Sequence, residues 1–367
     1  MDEIPVTTIV AAWGLALGMI LGATVQRTNF CTMGAISDSV LMGSHSRLRA
    51  WLLAIATAMV ASQALHGAGL VDLGRSIYLM PNLGWLSAIL GGVMFGFGMT
   101  LAGGCGNRTL VRLGAGNLKS LVVALVMGIF AYMTLRGLLG LARVELEAAT
   151  NIDLAAAGLP SQGIVDLLAA ASGMNGNALR TAVTLVVAGA LTWWCFKDAS
   201  FRRSPRDLAA GLIVGLTVPA GWLITGVIGN DEFDPVPLFS ITFVSSTADG
   251  VQYLMTFTGA TINFGIGLIG GVIAGALLAS LLGREFRLEA FSSADDMLRH
   301  LIGAALMGVG GILALGCTIG QGITGMSTLA LGSLLAWLAI MAGGVLGIRY
   351  LEEGNLVGAV RALLLRD

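Results

Sequence analysis

Uncharged apolar runs long enough to enter a bilayer recur along nearly the whole chain, among them residues 6–25, 121–135 and 329–348. A helix needs roughly 20 apolar residues to cross about 30 Å of hydrocarbon, and each of these runs approaches or reaches that length. No water-soluble fold can hide so many. Only 11% of the 367 residues are charged and 56% are hydrophobic, where a globular domain carries about 25% charged residues. The mean hydropathy is +0.86. The 53 glycines fit membrane helices, in which a missing Cβ lets two backbones approach closely. The expected class is an all-α, polytopic integral membrane protein. A net charge of −1 offers no electrostatic pull on nucleic acid. Met1, Asp2 and Glu3 precede the first run, which is the wrong n-region for a signal peptide, so that run is expected to be a retained helix.

Charged interruptions divide the apolar sequence into about nine spans: 6–26, 49–66, 84–104, 117–141, 178–196, 207–228, 261–282, 298–316 and 327–349. Two further stretches, 30–42 and 236–258, are apolar but dense in Gly, Ser and Thr. They read as re-entrant or broken helices, which membranes tolerate only inside protein or beside a cavity. Placing the N-terminus outside puts sixteen of the 20 Lys and Arg on the inner side, leaving Arg75, Arg136, Arg143 and Arg180 outside. Basic residues concentrate on cytoplasmic loops, so the expected topology is N-terminus out and C-terminus in. Residues 144–177 form an outer loop with a surface helix near 164–171.

An internal repeat is visible. Gly96-Phe-Gly-Met-Thr-Leu-Ala-Gly-Gly-Cys105 aligns with Gly308-Val-Gly-Gly-Ile-Leu-Ala-Leu-Gly-Cys317 at a constant offset, matching at six positions. Gly14-Leu-Ala-Leu-Gly18 resembles Gly211-Leu-Ile-Val-Gly215. In the nine-span topology the two aligned spans run in opposite directions, so the repeats are inverted. Repeat 1 covers about 6–143 and repeat 2 about 207–349, with a linking helix at 178–196, all within one transmembrane domain. Inverted repeats with broken helices are a transporter architecture, with the substrate site at the repeat interface.

Three of the four cysteines, Cys31, Cys105 and Cys317, sit where an apolar run breaks amid small residues. Each break exposes a helix terminus, whose free amides and dipole favour an anion. The fourth, Cys195, lies in Trp193-Trp-Cys-Phe196 inside an ordinary helix and reads as packing. No CxxC pair exists, which argues against a thioredoxin-like or zinc site. Arg108 reads either as an anion attractor below the constriction or as a topological arginine. Asn29, Asn107, Thr318 and Gln321 are candidate donors to an anion, or else partners for backbone freed by the breaks. Met19, Met94, Met99 and Met307 read as packing. No GxxxxGK[ST] loop is present, so no nucleotide site is expected.

These motifs carry a resemblance. Asn29-Phe-Cys-Thr-Met-Gly-Ala-Ile-Ser-Asp38, Gly103-Gly-Cys-Gly-Asn-Arg-Thr-Leu110 with Gly114-Ala-Gly-Asn117, and Gly316-Cys-Thr-Ile-Gly-Gln-Gly322 resemble the YeeE/YedE family of sulfur-compound transporters. The resemblance spans essentially the whole chain. It implies an hourglass-shaped helical protein of the bacterial inner membrane, with Cys31, Cys105 and Cys317 lining a constriction and thiosulfate passing from thiol to thiol. It further implies a small TusA-like sulfur-carrier protein as cytoplasmic partner, and no cofactor. A thiol is a weak donor, and passage needs sites attractive enough to enter yet weak enough to leave. The competing readings are a carrier of selenium compounds or other small sulfur species, a membrane thiol oxidoreductase, a soft-metal transporter and a structural membrane subunit. The missing cysteine pair weighs against the oxidoreductase. The missing His–Cys and Met clusters weigh against the soft metal, and the Gly-rich breaks against the structural subunit.

Overall fold

A computed structural model describes residues 5–232 and 234–364. Asp2, Glu3 and Arg366, which entered the sequence reading, lie outside the described residues. The chain is built of helices in the order α1 (Val6–Thr28), α2 (Thr32–Leu41), α3 (Ser46–Gly67), α4 (Trp85–Leu101), α5 (Gly106–Gly114), α6 (Leu118–Arg136), α7 (Leu138–Thr150), α8 (Ile164–Ser172), α9 (Gly176–Phe196), α10 (Ala199–Arg202), α11 (Pro205–Leu223), α12 (Val244–Met255), α13 (Phe264–Leu282), α14 (Ala294–Leu313), α15 (Leu331–Glu353) and α16 (Leu356–Leu364). One short two-stranded pairing joins β1 (Asn82–Leu83) to β2 (Ile152–Asp153). Among the described residues, nine helical segments are long and apolar enough to span a membrane. Large apolar side chains such as Leu185, Val186 and Trp193 lie exposed on their outer faces, as lipid contact requires.

The spans fall where the charge interruptions put them, with shifted ends. The span expected at 117–141 ends at Arg136, and the loop expected from 144 begins inside α7. The surface helix expected near 164–171 is α8. The stretch 30–42 resolves into α2 behind an irregular turn. The stretch 236–258 resolves into irregular backbone followed by α12. Two more short helices start directly after cysteines, at α5 and at 318–327, where a π-helical turn covers Gly320–Gly325.

The order helix, half-helix, helix, helix, half-helix, helix thus occurs twice, first from α1 to α6 and again from α11 to α15. Packing follows the same rule with the halves exchanged. α1 packs on α13 and α11 on α3. α4 packs on α15 and α14 on α6, while α12 lies on α6 and α2 on α15. The sequence makes these contacts possible by glycine spacing. Gly14, Gly18 and Gly22 on α1 face Gly267, Gly271 and Gly275 on α13. A Cβ at Gly18 would sit 2.2 Å from the Leu268 carbonyl oxygen, and one at Gly271 would sit 2.1 Å from that of Leu15. Between membrane helices the hydrophobic effect is spent, so close packing of this kind carries association.

Candidate functional site

Four half-helices begin at the centre of the bundle, and their first residues converge. Cys31 is the N-cap of α2, Cys105 of α5 and Phe243 of α12, while Cys317 directly precedes the helix at 318–327. All four are buried. The Cys31 and Cys105 thiols lie within interaction distance of one another, and Thr318 stands beside Cys105. Phe243 closes the ring from the other side: its Cβ lies 3.5 Å from where a Cβ on Gly106 would be, and Thr242 stands against Gly320. The sulfurs serve their own helices. The Gly320 amide donates to Cys317 Sγ at 3.3 Å, and the Gly34 and Arg108 amides point at Cys31 and Cys105. All four cysteines of the chain are free thiols.

A buried polar atom without a partner costs roughly 1–3 kcal/mol, so such atoms mark places where a ligand belongs. Four of them stand at these helix starts: Thr32 Oγ1, Asn107 Oδ1, Thr242 Oγ1 and Thr318 Oγ1. Thr318 lies beside Cys105 but makes no well-formed hydrogen bond. Together the four N-termini bring positive dipole ends near one another, which suits a small anion.

Arg108 Nη2 donates to Asn29 Oδ1 at 2.8 Å, while its Nη1 is buried without a protein partner. Asn29 caps α1 in the left-handed region, at φ 56°, a conformation that asparagine tolerates. Arg112 is bound to the break itself, donating to the Gly103 carbonyl at 2.7 Å. Gln321 Nε2 donates to the Ala314 carbonyl. Of the polar candidates, Asn29 is tied to Arg108 and Gln321 serves a break through its Nε2, while Asn107 Oδ1, Thr318 Oγ1 and Gln321 Oε1 stay buried without a protein partner. Cys195 stands apart within α9, its thiol donating to the Arg49 carbonyl at 3.2 Å.

A cavity opens on each side of the throat. One, of about 200 Å³, is lined by Tyr78, Gly84, Arg143, Gln162, Gln321 and Ser333 among others, and Tyr78 lies near Cys317. The other, of about 340 Å³, is lined by Arg108, Arg112, Lys119, Arg287 and His300 with Glu285 and Glu289. α4 starts at the first cavity and ends at Ala102 in the second, while α14 runs from His300 in the second to Leu313 in the first. The cavities therefore lie on opposite faces of the bundle, and α4 and α14 run in opposite directions between them. Thr32, Thr242 and Phe243 were missed in the sequence. Thr32 was legible, because it follows Cys31 as Thr318 follows Cys317; Phe243 carries no polar signal.

The family model described as Sulphur transport matches residues 27–346 of the chain. The chain is 28% identical over 322 residues to the thiosulfate transporter TsuA of Escherichia coli (strain K12), covering 84% of this chain and 86% of the relative. It is 28% identical over 346 residues to the thiosulfate transporter TsuA of Spirochaeta thermophila, covering 90% of this chain and 96% of the relative.

Proposed function

Because the chain belongs to the Sulphur transport (YeeE/YedE) family, we propose that it imports thiosulfate through the throat formed by Cys31, Cys105 and Cys317. The observation that carries this reading is the convergence of three free thiols and four partnerless polar atoms on the ring of half-helix N-termini between two opposed cavities. The anion enters from the Tyr78 side, which is the outer one if the N-terminus is outside. It meets Cys317, then the facing pair Cys105 and Cys31, and leaves past Arg108 into the basic inner cavity. Each handover exchanges one weak S–H contact for another; no covalent bond forms. The oxygens of the anion accept from the free hydroxyls of Thr32, Thr242 and Thr318. Phe243, in the fourth position, supplies an apolar wall without a donor.

The two halves act as inverted repeats, about 6–143 and 207–349, and the shared throat lies on their pseudo-symmetry axis. Moving a dianion inward against 100 mV, negative inside, costs about 4.6 kcal/mol, a concentration ratio of roughly 2,000. A gradient of thiosulfate alone is a poor driver against that. Consumption at the inner mouth by a TusA-like sulfur carrier fits better, and the basic lining of the inner cavity would hold the anion for it. The test is thiosulfate-dependent growth of a bacterium lacking other thiosulfate uptake. Wild type and the Cys195→Ser variant should support growth, while Cys31→Ser, Cys105→Ser and Cys317→Ser should each fail to do so at equal membrane abundance. Normal growth by all three overturns the relay. Sulfate, selenite and sulfide as competitors of uptake define the substrate.

A further inference from the structure

A second built site lies away from the throat, between α3 and α9. A cavity of about 480 Å³ there is lined by Val60, Gln63, His66, Arg180, Thr184 and Leu185, with Asn177 and Thr181 at its rim. Three of its polar atoms are buried without a protein partner: Arg180 Nε, Thr184 Oγ1 and Gln63 Oε1. Gln63 and Thr184 are only 7% and 6% exposed, so these atoms are withdrawn from bulk water and each is costly if left bare. The guanidinium of Arg180 has only a loose ion pair, 3.8 Å from Asp166, and Asp166 already accepts the Ser161 hydroxyl.

The lining is graded along the membrane normal. α3 ends at Gly67 and α9 begins at Gly176, so His66, Asn177 and Arg180 sit at the end of the spans. Gln63 and Thr184 lie about one turn deeper. Val60 and Leu185 lie deeper still, 44% and 62% exposed, on faces that meet lipid. Cation and polar groups at the rim, with apolar surface below, match the headgroup, ester and acyl levels of one phospholipid. We propose that this cleft is a binding site for a single phospholipid, its phosphate diester held by Arg180, its ester oxygens by the Thr184 hydroxyl, and a chain along Val60 and Leu185. The site reaches the throat mechanically. Gln63 Nε2 donates to the Ser327 carbonyl at 2.8 Å, and Ser327 ends the half-helix that begins after Cys317.

The test uses the full chain purified in mild detergent, read by native mass spectrometry and by thermal unfolding. Phosphatidylglycerol and phosphatidylethanolamine are titrated separately, with inorganic phosphate as the free-anion arm. Wild type should retain one phospholipid and be stabilised by adding either lipid, but not by inorganic phosphate. Losing a charge-assisted contact to phosphate should weaken lipid binding roughly tenfold or more in Arg180→Gln. Arg75→Gln, an exposed cation outside the cleft, should bind as wild type. Should Arg180→Gln fail to fold, Thr184→Val carries the same titration and should also bind more weakly. Equal stabilisation by inorganic phosphate, no bound lipid in wild type, or wild-type lipid affinity in the folded cleft variant each overturns the proposal.

Discussion

At single residues, the breaks that carry the cysteines are shaped by local backbone chemistry. Gly103 and Leu315 occupy the same place, two residues before Cys105 and Cys317, and both adopt left-handed backbone, at φ 69° and 55°. Glycine does so without strain; leucine pays roughly 1–2 kcal/mol for it. Leu315 is about half exposed, so little burial is lost on removing it. Leu315→Gly should therefore stabilise the protein by about 1 kcal/mol in denaturant unfolding, and Gly103→Leu should destabilise it by a similar amount. The cysteines themselves were legible in the sequence, because each interrupts an apolar run beside glycines. The αL leucine was not: nothing in Ala314-Leu-Gly316 distinguishes it from a packing residue until the alignment with Ala102-Gly-Gly104 sets it opposite a glycine. One terminal nitrogen of Arg108 is tied to Asn29 and the other is left buried beside the inner cavity. Arg108→Gln is expected to slow thiosulfate uptake several-fold while leaving the amount of folded protein unchanged, measured as initial rate in vesicles.

Among the elements, the nine spans could be read from apolar length and two of the half-helix stretches, 30–42 and 236–258, from their Gly, Ser and Thr content, whereas the other two half-helices could not be placed. α5 and the helix at 318–327 are too short to stand out beside the spans, and their position follows from packing, of α5 on α13 and α6 and of the helix at 318–327 on α15 and α3. The glycine register between α1 and α13 makes a sharp prediction. At Gly271 a side chain would run into the Leu15 carbonyl at 2.1 Å, and backbone cannot yield as a side chain does. Gly271→Val should cost at least about 1–3 kcal/mol, the range for overpacked cores, and should appear as lost monodisperse protein in size-exclusion chromatography. The junction between α9 and α10 carries a pH dependence. The Asp198 carboxylate accepts the Phe201 amide at 3.0 Å and the Arg49 guanidinium at 2.7 Å. Those two contacts, the Phe201 amide foremost, hold its pKa below the ordinary carboxylate value. A carboxylate with a depressed folded pKa stabilises above its unfolded pKa, near 3.9, and loses that contribution as pH falls through the lower folded value. Asp198→Asn should lower the thermal midpoint at pH 7. The difference from wild type should shrink below about pH 4, which thermal scans across pH would reveal.

Across the whole molecule, one arrangement ties the parts together. Two interlocked halves point four half-helix N-termini at each other, and cavities open on opposite faces of the bundle. The composition reveals the membrane, and the aligned Gly-Cys segments reveal the duplication. What no single sequence reveals is that the fourth N-terminus carries Phe243 rather than a thiol, because an apolar residue in an apolar stretch leaves no mark. That asymmetry gives the throat three weak donors and one inert wall. Movement of the anion past those three sulfurs is measured by the initial rate of radiolabelled thiosulfate entry into proteoliposomes. Single serine replacements at Cys31, Cys105 and Cys317 are compared there with the same replacement at Cys195. Each of the first three should fall to a small fraction of the wild-type rate while Cys195→Ser keeps it; undiminished entry through all three throat variants would mean that the anion does not pass those sulfurs.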